Sequence, residues 1–200
     1  MLRLHAIPFS TNVERITLAL AYKGLQCELV EHDPDDRSAI VRLSGQELVP
    51  VLEDDGEVVS DSPLVLRHLE RKYPQPPLWP TETARSAELD LFLDWFNRVW
   101  KRPPNAIADG IGGITEAAEL RGSLGYFEAL LAGRPFLFGG GFTAADATAF
   151  PFIKYGLVFD PADDEPFHRV LIEHLSFGDD HPRLTEWVRR VDAMPRAGDS

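Results

Sequence analysis

The sequence predicts a mixed α/β domain followed by an all-helical domain. Three observations predict it. Residues 1–73 switch between strand-like and helix-like apolar spacing, a proline-rich segment follows, and no later stretch alternates like a strand. Four of the seven residues at 74–80 are proline, which excludes a helix and favours a stiff linker. We therefore place the domains at residues 1–76 and 81–200, with 74–80 as the linker.

The first domain has the element order β-α-β-α-β-β-α. Residues 2–7 alternate like a strand, helical spacing starts at Asn12, and residues 27–30 form a second strand. A weak, short helix opens near residue 33. Because a β-α-β unit needs a right-handed crossover, the first two strands are predicted to be parallel. A hairpin and a last helix then complete the order of the thioredoxin-like fold.

The hairpin organises this domain. Asp54-Asp55-Gly56 separates two apolar runs and supplies the positive φ of a tight turn. Pro50 lacks an N–H, so it belongs at the first position of its strand. If the Val49–Pro50 bond is cis, the backbone of Val49 faces outward. It can then pair with an extended peptide lying alongside.

The last helix of the domain starts just after the hairpin. Ser62 followed by Pro63 predicts an N-cap with proline at the first helical position. Asp61 and Ser62 place a carboxylate beside free helix amides, where an ammonium and a carboxylate can bind together. An ordinary hairpin followed by an ordinary cap explains the same residues, so this stretch leaves both interpretations open.

The second domain is predicted to be a run of helices. A long helix, apolar on two sides, begins at Thr81 or Thr83 and ends or kinks at Pro103-Pro104. Thr115 predicts the cap of the next helix. The sequence Thr143-Ala144-Ala145-Asp146 predicts a start like a capping box. Two further helices follow, at residues 163–174 and 182–191.

Charge and composition exclude several classes of partner. The net charge of −12 argues against a nucleic-acid backbone or an anionic membrane. A single cysteine, Cys27, excludes an internal disulfide and fits a reducing compartment. No apolar run reaches about 18 residues, so we expect a soluble, cytoplasmic protein. His168, His174 and His181 lack the spacing of a zinc site, and no metal is predicted.

Ser10 lies between the first strand and the first helix, which is where β-α-β units commonly carry their ligand-binding residues. A hydroxyl beside the positive end of a helix dipole could hold a thiolate. Such a charge-assisted bond would lower a thiol pKa by about one to two units. Ser10 or Asn12 could instead merely cap the helix, and both interpretations stay open. No Gly-x-Ser-x-Gly elbow surrounds Ser10, which argues against an acyl nucleophile.

Several motifs occur in a fixed order along the chain: Pro8-Phe9-Ser10, Ser44-Gly45-Gln46 ahead of Val49-Pro50-Val51-Leu52, Asp61-Ser62, the linker, and residues 143–146. In this order and spacing the chain resembles the cytosolic glutathione transferase superfamily over nearly its whole length. The resemblance implies glutathione as co-substrate with no tightly bound cofactor. It also implies a homodimer and a role in detoxification.

The resemblance also implies a catalytic role for Ser10. This residue aligns with the serine of zeta-like enzymes and the cysteine of omega-like ones. A serine disfavours mixed-disulfide chemistry, since a hydroxyl cannot form such a bond. Ser10-Thr11-Asn12 also resembles the Thr-Pro-Asn of nu-like members, which reduce disulfides with glutathione alone.

The other site residues follow by position. Val49 and Pro50 look like the clamp for the cysteinyl part of glutathione. Leu48 stands where many classes carry a polar residue, so contact with the glycyl carboxylate must come from elsewhere. The remaining candidates are Asp61 and Ser62 for the γ-glutamyl part, Arg37 and Gln46 for the glycyl carboxylate, and Phe9, Asn12, Trp95 and Arg98 for a second-substrate pocket.

These features favour a glutathione transferase that conjugates the glutathione thiolate to a small hydrophobic electrophile. Two alternatives remain open. One is a glutathione-dependent disulfide reductase, and the other is a non-catalytic binding module that retains the fold.

Overall fold

The computed structural model describes residues 1–198, which form two compact units. The first unit contains residues 1–79 together with 195–198, and the second contains residues 80–194. The C-terminal tail therefore belongs to the first unit.

A four-stranded sheet forms the centre of the first unit. Its strands are β1 (Leu2–Ala6), β2 (Cys27–Glu31), β3 (Val51–Asp54) and β4 (Glu57–Ser60), in the spatial order β2-β1-β3-β4. β1 pairs with β2 in parallel and with β3 antiparallel, and β3 pairs with β4 antiparallel. This is the sheet predicted from a β-α-β start and a terminal hairpin, and it confirms the thioredoxin-like fold class.

The helices of this unit are α1 (Thr11–Tyr22), α2 (Ser38–Ser44) and α3 (Ser62–Lys72). The apolar side of α1 is buried, as its helical spacing predicted. α2 is shorter than predicted. The carboxylates of Asp33 and Asp36 accept backbone N–H groups two residues on, at 2.9 Å and 3.0 Å. These local turns compete with the helix and delay its start.

The hairpin and the start of α3 fix the backbone near the site. Asp55 and Gly56 have φ values of 50° and 92°, which is the pair of positive angles in a type I′ turn. The Val49–Pro50 bond is cis. The predicted N-cap at Ser62 is wrong, because Asp61 is the N-cap and Ser62 the first helical residue. Proline is still accommodated in the first turn, where N–H groups have no partner within the helix.

The second unit is built from helices. In chain order they are α4 (Thr83–Trp95), a π-helical turn (Phe96–Trp100), α5 (Arg102–Ala108), α6 (Ile114–Leu130), α7 (Ala144–Ile153), a 3₁₀ turn (Lys154–Gly156), α8 (Pro166–His174) and α9 (Pro182–Asp192). None of the helices within residues 1–198 is long and apolar enough to cross a membrane.

Of three boundary predictions in this unit, one is confirmed and two are wrong. The long helical run ends at Lys101, just before Pro103 and Pro104, as predicted, and the two prolines lie in the first turn of α5, where their missing N–H groups cost nothing. The predicted threonine caps of α4 and α6 are replaced by Glu82 and Gly113. At α6 the Glu116 carboxylate accepts the N–H of Gly113 at 2.7 Å. This carboxylate supplies one half of a capping box, the bond that satisfies the N–H of the N-cap residue.

The predicted start of α7 is confirmed and lies in the core of this unit. Asp146 is fully buried and accepts four hydrogen bonds at 2.8–2.9 Å. The donors are the N–H and hydroxyl of Thr143, the N–H of Leu137 and the indole N–H of Trp187. These bonds join a loop, a helix start and α9 at one carboxylate.

Candidate functional site

Strand register brings the predicted site segments to one end of the sheet. His5 near the end of β1 pairs with Val51 at the start of β3, and Val51 pairs with Ser60 at the end of β4. The segments that follow β1 and β4 and precede β3 therefore emerge at the same end. These segments carry Phe9 and Ser10, Asp61 and Ser62, and Gln46, Val49 and Pro50.

Ser10 is the N-cap of α1. Its Oγ accepts the N–H of Val13 at 3.3 Å, and its carbonyl accepts the N–H of Glu14 at 3.0 Å. A hydroxyl that accepts through a lone pair still has its own proton to donate. Capping the helix and holding a thiolate are therefore compatible roles for one half-buried side chain.

The N-termini of α1 and α3 are joined through Ser62. The Ser62 hydroxyl donates to Asn12 Oδ1 at 3.5 Å and accepts from Arg15 Nη1 at 3.2 Å. Ser62 and Arg15 are both buried. This contact holds the two helix ends that carry Ser10 and Asp61.

Arg15 was missed by the sequence reasoning. It is only 1% exposed, and burial lowers its pKa to about 9 while the nearby Asp61 charge acts in the opposite direction. An arginine next to Ile16 on the buried side of a helix was the available signal, since a buried guanidinium needs polar partners. Which partners it would find depends on α3, which lies far along the chain.

Asp61 has an unusual backbone. Its φ is 75°, in the region that favours glycine, and its exposed side chain makes no capping hydrogen bond to α3. Such a conformation costs of order 1–3 kcal/mol and is found most often at functional sites. The carboxylate is therefore free of a capping role beside the N-terminus of α3.

Val49 presents backbone to the same end of the sheet. Its side chain is buried. Among the hydrogen bonds of the described residues, none is made by its N–H or C=O. Both groups follow the exposed Leu48 and precede the cis bond to the buried Pro50. This arrangement fits strand-like pairing with an external peptide.

Arg37 and Gln46 brace the loop that leads to Val49. Arg37 donates to the carbonyls of Pro34 and Glu47 at 3.0 Å and 3.2 Å, and the Gln46 amide donates to the carbonyl of Leu48 at 3.2 Å. The structure thus gives both residues a structural contact. Their contact with a glycyl carboxylate stays a prediction.

The second-substrate residues are distributed over both units. Phe9 is 41% exposed, has a φ of 58° and directly precedes Ser10. In the second unit, Trp95 packs against the ring of Tyr126 at 5.0 Å, and Arg98 is exposed and pairs with Asp94 at 2.7 Å. The role of these side chains toward an electrophile stays a prediction.

Other reactive groups lie away from this end of the sheet. Cys27 is half-buried at the start of β2, and burial raises the pKa of its thiol to about 11. Such a thiol is a poor nucleophile at neutral pH. Within residues 1–198 no cluster of three His, Cys, Asp or Glu side chains is arranged to hold a metal ion.

Two family models match this chain. A model described as the glutathione S-transferase N-terminal domain matches residues 4–77, and one described as the C-terminal domain matches residues 87–190. The chain belongs to the glutathione S-transferase family. The superfamily inferred from the motif order is thereby confirmed, while the class within it stays a prediction.

Individual relatives agree with this assignment. Glutathione S-transferase 3 of Zea mays is 30% identical over 167 residues, which is 73% of this chain and 74% of that protein. Maleylacetoacetate isomerase of Pseudomonas aeruginosa is 34% identical over 93 residues, 43% of this chain and only 44% of that relative's length. The structure of rice GST1 in complex with glutathione has a TM-score of 0.76 and 25% identity, covering 96% of this chain and 86% of that one.

Proposed function

We propose that this glutathione S-transferase binds glutathione at the described end of the sheet and conjugates its thiolate to a small hydrophobic electrophile. The observation that carries the proposal is the convergence of three features at that end. They are the backbone of Val49 beside a cis proline, the hydroxyl of Ser10 and the carboxylate of Asp61.

Each part of the tripeptide has a matching group. The cysteinyl backbone pairs with the N–H and C=O of Val49, in the manner of strand addition. The γ-glutamyl ammonium lies against the Asp61 carboxylate. The γ-glutamyl α-carboxylate accepts the free N–H of Ser62 in the first turn of α3. Arg37 and Gln46 are the candidates for the glycyl carboxylate.

The Ser10 hydroxyl donates to the sulfur once the thiol has lost its proton to solvent. A hydrogen bond to a charged group contributes about 1.5–3 kcal/mol, and 1.36 kcal/mol corresponds to one pKa unit. Ser10 therefore lowers the pKa of the bound thiol by about one to two units. The thiolate then attacks an electrophilic carbon, a carbon–sulfur bond forms, and the leaving group departs with its electron pair.

Ser10→Ala tests this role. We expect the pKa of the bound glutathione thiol to rise by about one to two units, and kcat/KM at neutral pH to fall about 10- to 100-fold. The Kd for glutathione should change less than about threefold, because the bond acts on the thiolate and not on ground-state binding. Ultraviolet absorbance of the thiolate during a pH titration measures the pKa directly.

The control is Ser10→Thr, which keeps a hydroxyl and a capping group. If Ser10 only caps α1, Ser10→Ala would cost about 1 kcal/mol of folding stability and leave the thiol pKa unchanged. Equal losses in turnover and in glutathione affinity would also contradict the proposed role.

A second candidate reaction is a glutathione-dependent isomerisation, which the relative named maleylacetoacetate isomerase favours. The bound thiolate would add to a conjugated double bond, the resulting single bond would rotate, and the thiolate would leave. Glutathione is regenerated in this reaction and consumed in conjugation. Measuring free thiol during turnover of a cis-unsaturated diketo acid and of an aryl halide distinguishes the two.

The same assay covers the remaining alternatives. A disulfide reductase would oxidise glutathione with a small disulfide and be nearly inactive on aryl halides. A non-catalytic module would show no thermal shift with millimolar glutathione. The homodimer and the cytoplasmic location stay predictions, and sedimentation at several protein concentrations tests the first.

A further inference from the structure

The C-terminal tail folds back onto α1. The Arg196 guanidinium pairs with the Glu14 carboxylate at 2.9 Å, and the N–H of Ala197 donates to the carbonyl of Thr17 at 3.0 Å. Both side chains of the ion pair are mostly buried, at 15% and 16% exposure. The tail is therefore held by a charged contact in the first turn of α1 and a backbone contact one turn later.

The end of the tail is also held against the sheet. Gly198 has a φ of 96°, which favours glycine, and a Cβ atom added there would lie 2.3 Å from the side chain of Leu29 in β2 and force that side chain to move. Ala197 beside it is buried. These contacts hold the backbone on the C-terminal side of Arg196 against α1 and β2, and so help to position its guanidinium beside Glu14.

Glu14 carries a negative charge close to the proposed thiolate. Its N–H donates to the carbonyl of Ser10, one helical turn away. Residues four apart on a helix have Cβ atoms about 5–6 Å apart, so the Glu14 side chain starts close to the N-cap that carries the Ser10 hydroxyl. A negative charge at this distance disfavours a thiolate, and its low exposure limits screening by salt.

We propose that Arg196 is a positioning residue for the thiolate reaction, because its guanidinium neutralises the carboxylate that α1 carries one turn beyond Ser10. The inference rests on the proposed function. Under this proposal, Arg196 in the C-terminal tail helps to keep the bound sulfur in its thiolate form. Without the guanidinium, the Glu14 charge would raise the pKa of the bound thiol by about half a unit to one unit.

Other charged groups near this end of the sheet are Arg15 on α1, Asp61 before α3 and Arg37 before α2. They stay the same in every variant proposed below, so their contributions cancel in the comparison.

The experiment titrates the thiolate absorbance of glutathione bound to four full-length proteins: wild type, Arg196→Met, Glu14→Gln and the double variant. Arg196→Met should raise the pKa of the bound thiol by about half a unit or more, with an about threefold loss of kcat/KM at neutral pH. Glu14→Gln should lower that pKa, because it removes a negative charge near the sulfur. The double variant should return to within about 0.2 units of wild type.

The directions of the two pKa shifts distinguish an electrostatic role of the ion pair from a structural one. Both single variants break the same contact, so a merely structural role would move the thiol pKa in the same direction in both. That result would overturn the proposal, as would no shift in either. Arg196→Lys should keep the wild-type pKa, because it retains the charge opposite Glu14.

A matched control is Arg71→Met, which removes the exposed pair with Glu57 near the other end of α3. It should leave the thiol pKa unchanged, and thermal melts check that every variant is folded. If wild type itself does not lower the pKa of glutathione, the proposed function fails and the inference with it. If wild type does but the variants shift together, the inference alone fails.

Discussion

Three helix N-termini in this protein use polar side chains in two opposite ways. At the start of α7, Asp146 is fully buried and accepts four hydrogen bonds from neutral donors. At the start of α1, half-buried Ser10 accepts one amide and keeps its proton. At the start of α3, the exposed Asp61 makes no capping bond.

The number of internal hydrogen-bond partners distinguishes polar groups that stabilise the fold from polar groups that are available to a ligand. A polar group whose partners are all internal stabilises the fold and has nothing left for a ligand. A group that keeps an unused donor or charge beside free helix amides is suited to a ligand. The N-termini of α1 and α3 are of the second kind, and they lie at the same end of the sheet.

The largest expected effect is on stability. Asp146→Ala should lower the free energy of unfolding by about 4 kcal/mol, because several buried donors lose their acceptor. Urea denaturation followed by far-ultraviolet circular dichroism measures this loss. Thr143→Val removes only one donor and should cost about 1 kcal/mol. Equal costs for the two variants would show that Asp146 is not the centre of this start.

An intermediate effect is expected on binding. Asp61→Asn keeps the shape and suits the positive φ, but removes the charge that we propose faces the ammonium of glutathione. The Kd for glutathione should rise about tenfold, and stability should fall by about 1 kcal/mol, because the buried Arg15 guanidinium loses a nearby opposite charge. Calorimetric titration measures the affinity.

The control for this change is Asp55→Asn in the hairpin turn. Asp55 is also exposed and has a positive φ of 50°. Its substitution should leave the Kd unchanged. An equal loss in both variants would remove Asp61 from the site.

The smallest effect is on the pH dependence of stability. Burial favours a raised pKa at Asp54, but hydrogen bonds from Lys72, His68 and Tyr73 outweigh it and lower that pKa. The stability that Asp54 contributes is therefore present above about pH 4 and is lost as pH falls through the lowered folded pKa. The difference in unfolding free energy between wild type and Asp54→Asn should shrink as pH falls from about 5 to about 2.5.

The stability contribution of Asp146 is expected to depend on pH in the opposite direction to that of Asp54. Burial raises its pKa despite its hydrogen bonds, because none of the donors is a cation. The stability advantage of wild type over Asp146→Asn should therefore grow as pH falls through the raised folded pKa toward 4. Urea unfolding across this range measures both slopes. Parallel slopes for the two aspartates would contradict the distinction.

Much of the fold could be predicted because its signals are local. Strand alternation, the Asp-Gly turn and the start of α7 each depend on residues within a few positions of one another. Errors fell where local choices compete, as at α2, where aspartate side chains capture backbone amides before a helix can start.

The sequence by itself determined the element order and placed Ser10, Val49 and Asp61 at element ends, because caps, turns and proline act over short distances. Only the tertiary structure decided what joins these ends. Arg15 meets Ser62 across 47 positions, and Arg196 meets Glu14 across 182. The physical reason is that a charged or hydroxyl side chain specifies only what kind of partner it needs, while the packing of the helices and the path of the tail decide which residue supplies it.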